Sequence, residues 1–371
     1  MRILHICNHV QKIGNGIVNV AVDLACLQAK NGHDVIAASA GGEYEELLAN
    51  HGVRHLHLDQ SREPINMIKA AWRLHQIIQE FQPDIVHTHM ITGVMLAGIL
   101  KNRFNYHLIS TVHNEFQRSA VLMGLADRVI AVSHAVADSM VKRGIPRKKL
   151  RVVPNGTLGS PRHPNIQDYQ PMPLHHPAIT TVAGMYSRKG IAELIEAFIK
   201  IAADFPQAHL YLVGNGPDRS MFETMVQNSP FSHRIHFEGF QTEPQRYMLA
   251  SDIFVLASRC ESFGLVLTEA REAGCAIIAS DVDGIPETLD HGQAGVLVPP
   301  RDSQTLAANL AQLLNNPIQL YKWKYLAKQN LERFSVAQFN EETLAVYREL
   351  VPEYNFSKPA EMPKVLVTNR D

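Results

Sequence analysis

The sequence predicts an α/β protein built from two doubly wound, Rossmann-like domains in tandem, facing a central cleft. Three observations carry that expectation. Short apolar, β-rich runs alternate with segments of helical period along nearly the whole chain. A proline-dense interval divides the alternation into two series. The chain's 371 residues also exceed the size at which one core usually keeps growing.

The first series begins at once. "MRILHICNHV" has one Arg and then a short apolar run broken by His and Asn, which is the pattern of a first strand and not of a signal peptide. "DVIAAS", "VRHLHL", "DIVHTH", "HLISTVH", "RVIAVS" and "LRVVPNG" follow as further strands. Between the first two, Ile17, Val20, Ala21, Leu24 and Leu27 fall at helical spacing over 17–31, and Gly32 is the stop signal. Such alternation builds a parallel sheet covered on both faces.

From 157 to 177 the pattern lapses into "TLGSPRHPNIQDYQPMPLHHP", with Pro161, Pro164, Pro171, Pro173 and Pro177. Proline lacks an N–H and has a fixed φ, so this density suits a linker rather than a helix or central strand. The alternation then restarts with "AITTVAGM", "AHLYLVGNG", "RIHFEGF", "DIFVLAS", "CAIIASDV" and "AGVLVPP". The expected domains are 1–170 and 171–335. The helical stretch 319–351, interrupted near Phe334-Ser335, is expected to return towards the first domain, with the chain from 335 to 371 packing there. Open parallel sheets bind ligands outside the carboxyl ends of their strands, which places the site in the cleft.

Bulk properties exclude several classes. Lys and Arg number 35 against 36 acidic residues, which gives no footprint for nucleic acid. Cys7, Cys26, Cys260 and Cys275 are scattered without C-x-x-C spacing, the usage of reduced thiols in a cytoplasmic protein. No window approaches 18 consecutive apolar residues, so no span of a membrane is expected. The basic run "KRGIPRKKLR" at 142–151 has two readings, peripheral contact with an anionic membrane or a solvated turn. The interrupting Gly-Ile-Pro favours the turn.

The densest chemistry lies in "SRCESFGLVLTEAREAG", 258–274. A strand ending near Ser258 hands over to a helix expected from about Gly264 to Gly274, with Glu261 in the turn and Glu269 inside the helix. The N–H groups at a helix start suit a phosphate, and Gly264 permits close approach of the backbone. One carboxylate then faces a reacting sugar and the other a ribose.

This stretch, extended through "CAIIASDVDGIPETLDHGQAGVLVPP", closely resembles the donor-binding signature of the family-4 retaining glycosyltransferases of the GT-B fold (glycosyl transferases group 1), marked by Glu, seven residues, Glu. The resemblance covers nearly the whole chain, through "GNGIVNVAVDLACLQAKNGHDV", "PDIVHTH", "STVHNE", "RVIAVSHAVADSM", "RKG", "YLVGNGPD", "IHFEGF" and "DIFVLAS" in family order. It implies a retaining hexosyltransferase that moves a sugar from a nucleotide-sugar to a hydroxyl of a glycan, lipid-linked or small-molecule acceptor, with 1–170 on the acceptor side and 171–335 holding the donor. It further implies that Glu269 meets the ribose, Glu261 and His113 the donor sugar, and Lys189 the diphosphate. Leu265 would act through its backbone N–H, Gly16 through the loop facing the diphosphate, and Phe240 lies in the neighbourhood of the base. The family often has Arg directly after the Gly of "AGMYSRKG"; here Met185 stands in its place, and Arg188 is the candidate replacement.

Other patterns carry less. Gly14-Asn-Gly16 begins a dinucleotide fingerprint, but Asn19 occupies the third glycine position. Asp281 and Asp283 in "SDVDG" imitate a metal-binding Asp-x-Asp of a different glycosyltransferase fold, and no metal or cofactor is expected. His87 and His89 share one strand face with no third ligand nearby in sequence. Rival functions are an inactive sugar-nucleotide-binding protein, and a sugar-nucleotide epimerase or phosphorylase on the same fold, with an NAD-dependent oxidoreductase more distant.

Overall fold

The computed structural model describes residues 1–351; the part of the expected C-terminal return at 352–371 lies outside the described residues. Two parallel sheets organise the chain. The first contains β1 (Arg2–Ile6), β2 (Asp34–Ser39), β3 (Arg54–His57), β4 (Ile85–Thr88), β5 (His107–Val112), β6 (Arg128–Ala131) and β7 (Leu150–Val152), in the order β3-β2-β1-β4-β5-β6-β7. The second contains β8 (Ala178–Val182), β9 (His209–Val213), β10 (Ile235–Gly239), β11 (Ile253–Leu256), β12 (Ala276–Ser280) and β13 (Val296–Val298), in the order β10-β9-β8-β11-β12-β13. Each order reverses once, between β1 and β4 and between β8 and β11, and those switch points open the crevices in which such sheets receive ligands.

Period-2 alternation decides what each sheet face carries. Ile3 and His5 lie on the same face as Ile85 and His87, because β1 and β4 pair Ile3 with Ile85 and His5 with His87. His87 pairs in turn with Ile109 of β5. Ile3, Ile85 and Ile109 pack in a core cluster with Leu24 and Tyr347, so this face is apolar at its amino end and polar towards the carboxyl end of its strands.

The helix Gly16–Lys30 covers that face. Asn15 caps it by accepting from the Ile17 N–H at 3.1 Å, and Gly32 follows with a φ of 82°. The C-terminal stretch divides as expected, into helices Pro317–Ala327 and Val336–Arg348. Ser335 ends the interruption by capping the second of these, its hydroxyl accepting from the Gln338 N–H at 3.1 Å. Phe339, Leu344, Val346 and Tyr347 of the last helix then join the core of the first sheet.

The linker is anchored where it crosses. Arg162 places Nε 2.8 Å from Asp23 Oδ1 and a second nitrogen 3.0 Å from Oδ2, with both side chains almost wholly buried. A buried charge needs such pairing to be tolerated, and removing one partner typically costs about 3–5 kcal/mol.

Two elements depart from expectation. The strand expected over "LRVVPNG" is only Leu150–Val152. The run "KGIAELIEAFIKIAADF" predicts a helix from Lys189, but the helix begins at Ile191, because Gly190 takes a left-handed φ of 67° and Ser187–Lys189 form a short 3-10 turn. Arg188 and Lys189 therefore sit on a turn in front of the helix.

Candidate functional site at the domain seam

The helix Leu265–Ala273 starts without a side-chain cap, because its N-cap is Gly264 with a φ of 85°. Its first N–H groups are left for an outside acceptor, and the helix dipole makes that acceptor an anion. The turn in front of it is held from two sides. The Glu261 N–H donates to Asp283 Oδ2 at 2.9 Å and the Gly284 N–H donates to the Glu261 carbonyl at 3.0 Å. A Cβ on Gly284 would lie 2.0 Å from the Ser262 carbonyl oxygen, so only glycine permits this approach. Asp283, which resembles half of a metal motif in sequence, thus serves as a clamp on the Glu261 turn.

On its other side the turn meets the loop of Arg188 and Lys189. The Arg259 N–H donates to the Arg188 carbonyl at 2.8 Å, and Lys189 Nζ pairs with Glu261 Oε2. The structure joins these two predicted residues directly. Arg188 is exposed, with its guanidinium 5.7 Å from the Tyr186 ring centroid and no carboxylate at ion-pair distance among the described residues. Met185 is fully buried in the second core, and its backbone bonds Asn215 and Asp218. An arginine there would have to leave that core to reach the cleft.

The first domain closes on this assembly. A Cβ on Gly16 would lie 2.7 Å from Leu265 Cδ1, and one on Gly14 would lie 3.1 Å from the Phe240 ring. Gly16, Leu265 and Phe240, far apart in sequence, therefore come together around the start of the Leu265 helix. Ser262 donates to Glu115 Oε2 at 2.6 Å, and Ser133 donates to the Ser262 carbonyl at 2.8 Å. Glu287 accepts from the His134 and Ala135 N–H groups at 2.8 and 2.9 Å, at the start of the first-domain helix His134–Lys142. Phe263 packs into the core of the first domain. Burial raises the Glu115 carboxyl above the usual range, partly offset by Ser262.

Glu269 is half-buried on the same helix and makes no hydrogen bond or ion pair among the described residues. Burial pushes its carboxyl up to about 7, with Arg162 acting in the opposite direction. It lines an open concavity together with Thr157, Ser160, His163, Tyr169 and Gln245.

His113 follows β5, two residues before Glu115, and is partly exposed. Its Nε2 lies 3.2 Å from His89 Nδ1, and burial lowers its pKa to about 3. His5, His87 and His89 stand behind it as a buried cluster with ring nitrogens close enough together to consider a metal. Every nitrogen of the three rings already has a protein partner: Gln28 and His89 for His5, His5 and His113 for His89, Tyr347 and Thr111 for His87. The cluster is a hydrogen-bonded network as it stands.

Sequence reasoning missed Asp23, Gln28, Glu115, Arg162 and Ser262. A signal was present for two of them, since Asp23 and Gln28 interrupt a mostly apolar helix and both are buried. An uncompensated polar group in that position is costly, so each implied a partner.

Comparison with known proteins identifies the fold and the family. Residues 14–157 match Glycosyltransferase Family 4 and residues 165–330 match Glycosyl transferases group 1. The N-acetyl-alpha-D-glucosaminyl L-malate synthase of Bacillus anthracis is 24% identical over 332 residues, covering 82% of this chain and 85% of that one. The phosphatidyl-myo-inositol mannosyltransferase of Mycolicibacterium smegmatis is 22% identical over 371 residues, covering 94% and 93%. Among solved structures, Anabaena Alr3699/HepE in complex with UDP and glucose superposes with a TM-score of 0.80 at 19% identity, covering 93% of this chain and 99% of that one. The same protein has been solved with UDP-glucose. The two matched regions and the two sheets agree: this chain belongs to the group 1, family-4 glycosyltransferases of the GT-B fold.

Proposed function

We propose that the protein transfers a hexose from a nucleotide-sugar to an acceptor hydroxyl with retention of anomeric configuration. The observation that carries this reading is the seam itself. An uncapped helix start, a Lys–Glu pair and the glycine loop of the first domain converge on one point. A leaving diphosphate gains charge in the transition state, and oriented N–H groups with Lys189 and Arg188 answer that charge. Glu261 holds Lys189 in place, and Glu269 stands about one and a half helical turns inside, where a ribose fits. UDP is the favoured nucleotide, because the HepE structures hold UDP-glucose, or UDP and glucose.

No divalent cation is assigned a role. Among the described residues the one cluster of three ligating side chains is His5, His87 and His89, behind the cleft and satisfied by hydrogen bonds. Turnover is therefore expected to survive EDTA; loss that magnesium or manganese restores would reverse this assignment.

The acceptor is placed in the class of hydroxyl-bearing glycans, lipid-linked molecules or small molecules. Apolar side chains exposed on one face of the first domain favour a lipid-linked acceptor reached by peripheral membrane contact from the cytoplasm. Among the described residues no helix is long and apolar enough to cross a membrane.

The deciding experiment is a thermal-shift screen of UDP-, GDP- and ADP-sugars followed by product analysis, since a ligand that binds the folded state raises its melting temperature. A UDP-sugar that stabilises the protein and yields an α-linked product from an α-linked donor is expected. Stabilisation without turnover, across a panel of acceptors, indicates a binding protein. An altered sugar released in the absence of acceptor indicates an epimerase.

A further inference from the structure

The buried histidines behind the cleft form a line with a direction. Gln28, on the helix Gly16–Lys30, is fully buried, with its amide oxygen 2.8 Å from His5 Nε2 and its amide nitrogen 3.3 Å from the Tyr347 hydroxyl. His5 Nδ1 is 3.1 Å from His89 Nε2, and His89 Nδ1 is 3.2 Å from His113 Nε2. On the other branch, Tyr347 Oη is 2.6 Å from His87 Nδ1, and His87 Nε2 is 2.7 Å from Thr111 Oγ1. These side chains meet because His5, His87, His89, Thr111 and His113 alternate onto one sheet face, against the two helices that bring Gln28 and Tyr347.

A neutral imidazole has one donor and one acceptor nitrogen, so a chain of them admits only two proton arrangements. Burial keeps His5, His89 and His113 neutral at neutral pH. An amide oxygen can only accept, which puts the His5 proton on Nε2 and leaves Nδ1 bare. His89 must then donate from Nε2, and His113 must donate from Nε2 to His89 Nδ1. The remaining nitrogen of His113, Nδ1, has no hydrogen-bond partner among the described residues and is not a buried, unsatisfied atom. Turning the Gln28 amide over would reverse every proton in the line. With the amide as it stands, Tyr347 accepts from the amide nitrogen and is left to donate to His87, so the second branch is ordered by the same amide.

We propose that Gln28 is a positioning residue for glycosyl transfer: three hydrogen bonds away, through His5 and His89, it holds His113 with its proton on Nε2 and presents a bare Nδ1 to the cleft. A bare nitrogen recognises a donor, so the group it meets is a hydroxyl of the sugar substrate and not a phosphate oxygen. This rests on the reading that His113 faces the substrate. Tyr347, on a helix that returns after the whole second domain, holds the other end of the Gln28 amide.

The test uses full-length protein labelled with 15N-histidine. Long-range proton–nitrogen spectra are expected to show His113 as one tautomer, protonated on Nε2. In Gln28→Leu, His5 loses the partner that orders the line; His113 is expected to become a mixture of tautomers. Turnover should then fall about tenfold, with the donor KM changing less than about threefold, in a protein whose melting curve stays cooperative. Tyr347→Phe keeps the volume of the side chain and carries the same test if Gln28→Leu does not fold. A wild-type His113 protonated on Nδ1, or a tautomer unchanged in the variants, overturns the proposal. Full activity in His113→Ala would instead remove the role of His113 in transfer, while leaving the tautomer result standing; the two failures are therefore distinguishable.

Discussion

Glu269 shows how much a single side chain depends on its surroundings. Its position on the Leu265 helix suits hydrogen bonds to ribose hydroxyls, yet in the free protein burial holds the carboxyl near 7. Donor affinity is therefore expected to be highest above about pH 7 and to weaken as the pH falls through that value, because the protonated form loses acceptor capacity. Calorimetry across pH 5.5 to 8.5 is the check, and Glu269→Gln should flatten the profile; that range spans about 1.5 units on either side of the titration. Glu269→Ala should cost about 1.5–3 kcal/mol of donor binding, through loss of charge-assisted hydrogen bonds. Linkage acts in the opposite sense on the unliganded fold. Between the ordinary 4.5 and about 7 the folded chain holds a proton that the unfolded chain has lost, so this group's stabilisation is complete below 4.5 and gone above about 7. Arg188 supplies the second prediction at this scale. It precedes Lys189, whose own charge is engaged by Glu261, and nothing anionic pairs with it among the described residues. A cation just ahead of a helix start gains nothing from the helix dipole, so an anion delivered by the substrate explains it better. Arg188→Ala should reduce kcat by about tenfold or more while changing donor affinity and melting temperature little. Wild-type kcat in that variant, with Lys189→Ala crippled, would mean that Arg188 is only a solvated side chain.

At the scale of elements, the strands were readable as short apolar, β-rich runs and helices such as Gly16–Lys30 by their period, and both signals survive in a single sequence. The Leu265 helix and its Gly264 start were readable for the same reason, since a strand, a glycine and an apolar run follow one another locally. What surrounds the Glu261 turn was not. Asp283 is 22 residues away from the N–H it accepts, and Arg162 is 139 residues from Asp23. No local pattern specifies partners brought together by packing; only the polar interruptions Asp23 and Gln28 in a mostly apolar helix hinted that something must meet them. The late start of the helix after Lys189 has a steric cause that a sequence does not display: Gly190 turns against β11, where a Cβ would come 1.7 Å from the Ala257 carbonyl oxygen. Gly190→Ala thus faces both a left-handed φ of 67° and a backbone collision. It should lose at least about 2 kcal/mol of stability and displace Lys189 from Glu261. Gly264→Ala shares the positive φ, but its nearest non-bonded neighbour is the tip of Leu267 at 3.1 Å, so about 1–2 kcal/mol is expected. Melting temperatures of the two variants, measured side by side, check the order; equal losses would mean that the collision relaxes.

At the scale of the whole molecule, exposed apolar side chains are unevenly distributed. Ile65, Ile68 and Trp72 on the helix Pro64–Phe81, Met95 and Ile99 on the helix Ile91–Leu100, and Val121 and Leu125 on the turn after β5 are seven of the sixteen large apolar side chains exposed among the described residues. The helix Ile91–Leu100 packs between the other two segments, which makes these side chains one face of the first domain. Apolar groups concentrated in this way mark a surface that something covers. The charges indicate what it is. Arg62, Lys69, Arg73, Arg103 and Arg118 lie on or beside these segments, against Glu63 and Glu80, while Lys101 is paired with Asp127; the basic excess suits an anionic bilayer. Helices in a parallel sheet begin at the carboxyl ends of the preceding strands, so Ile65 and Met95 lie towards the cleft, where a lipid-linked acceptor would have to enter. The protein should therefore float with phosphatidylglycerol vesicles, much less with phosphatidylcholine, and less again as salt screens the basic border. Trp72, 65% exposed, should shift its fluorescence to the blue on contact, a signal that Trp72→Phe removes while leaving partly buried Trp323 in the second domain. An Ile65→Asp, Ile68→Asp double variant changes only exposed positions and should abolish flotation without lowering the melting temperature. Absence of flotation in the wild type would refute the membrane reading, and sedimentation showing a dimer that the same double variant dissociates would assign the face to a second copy of the chain.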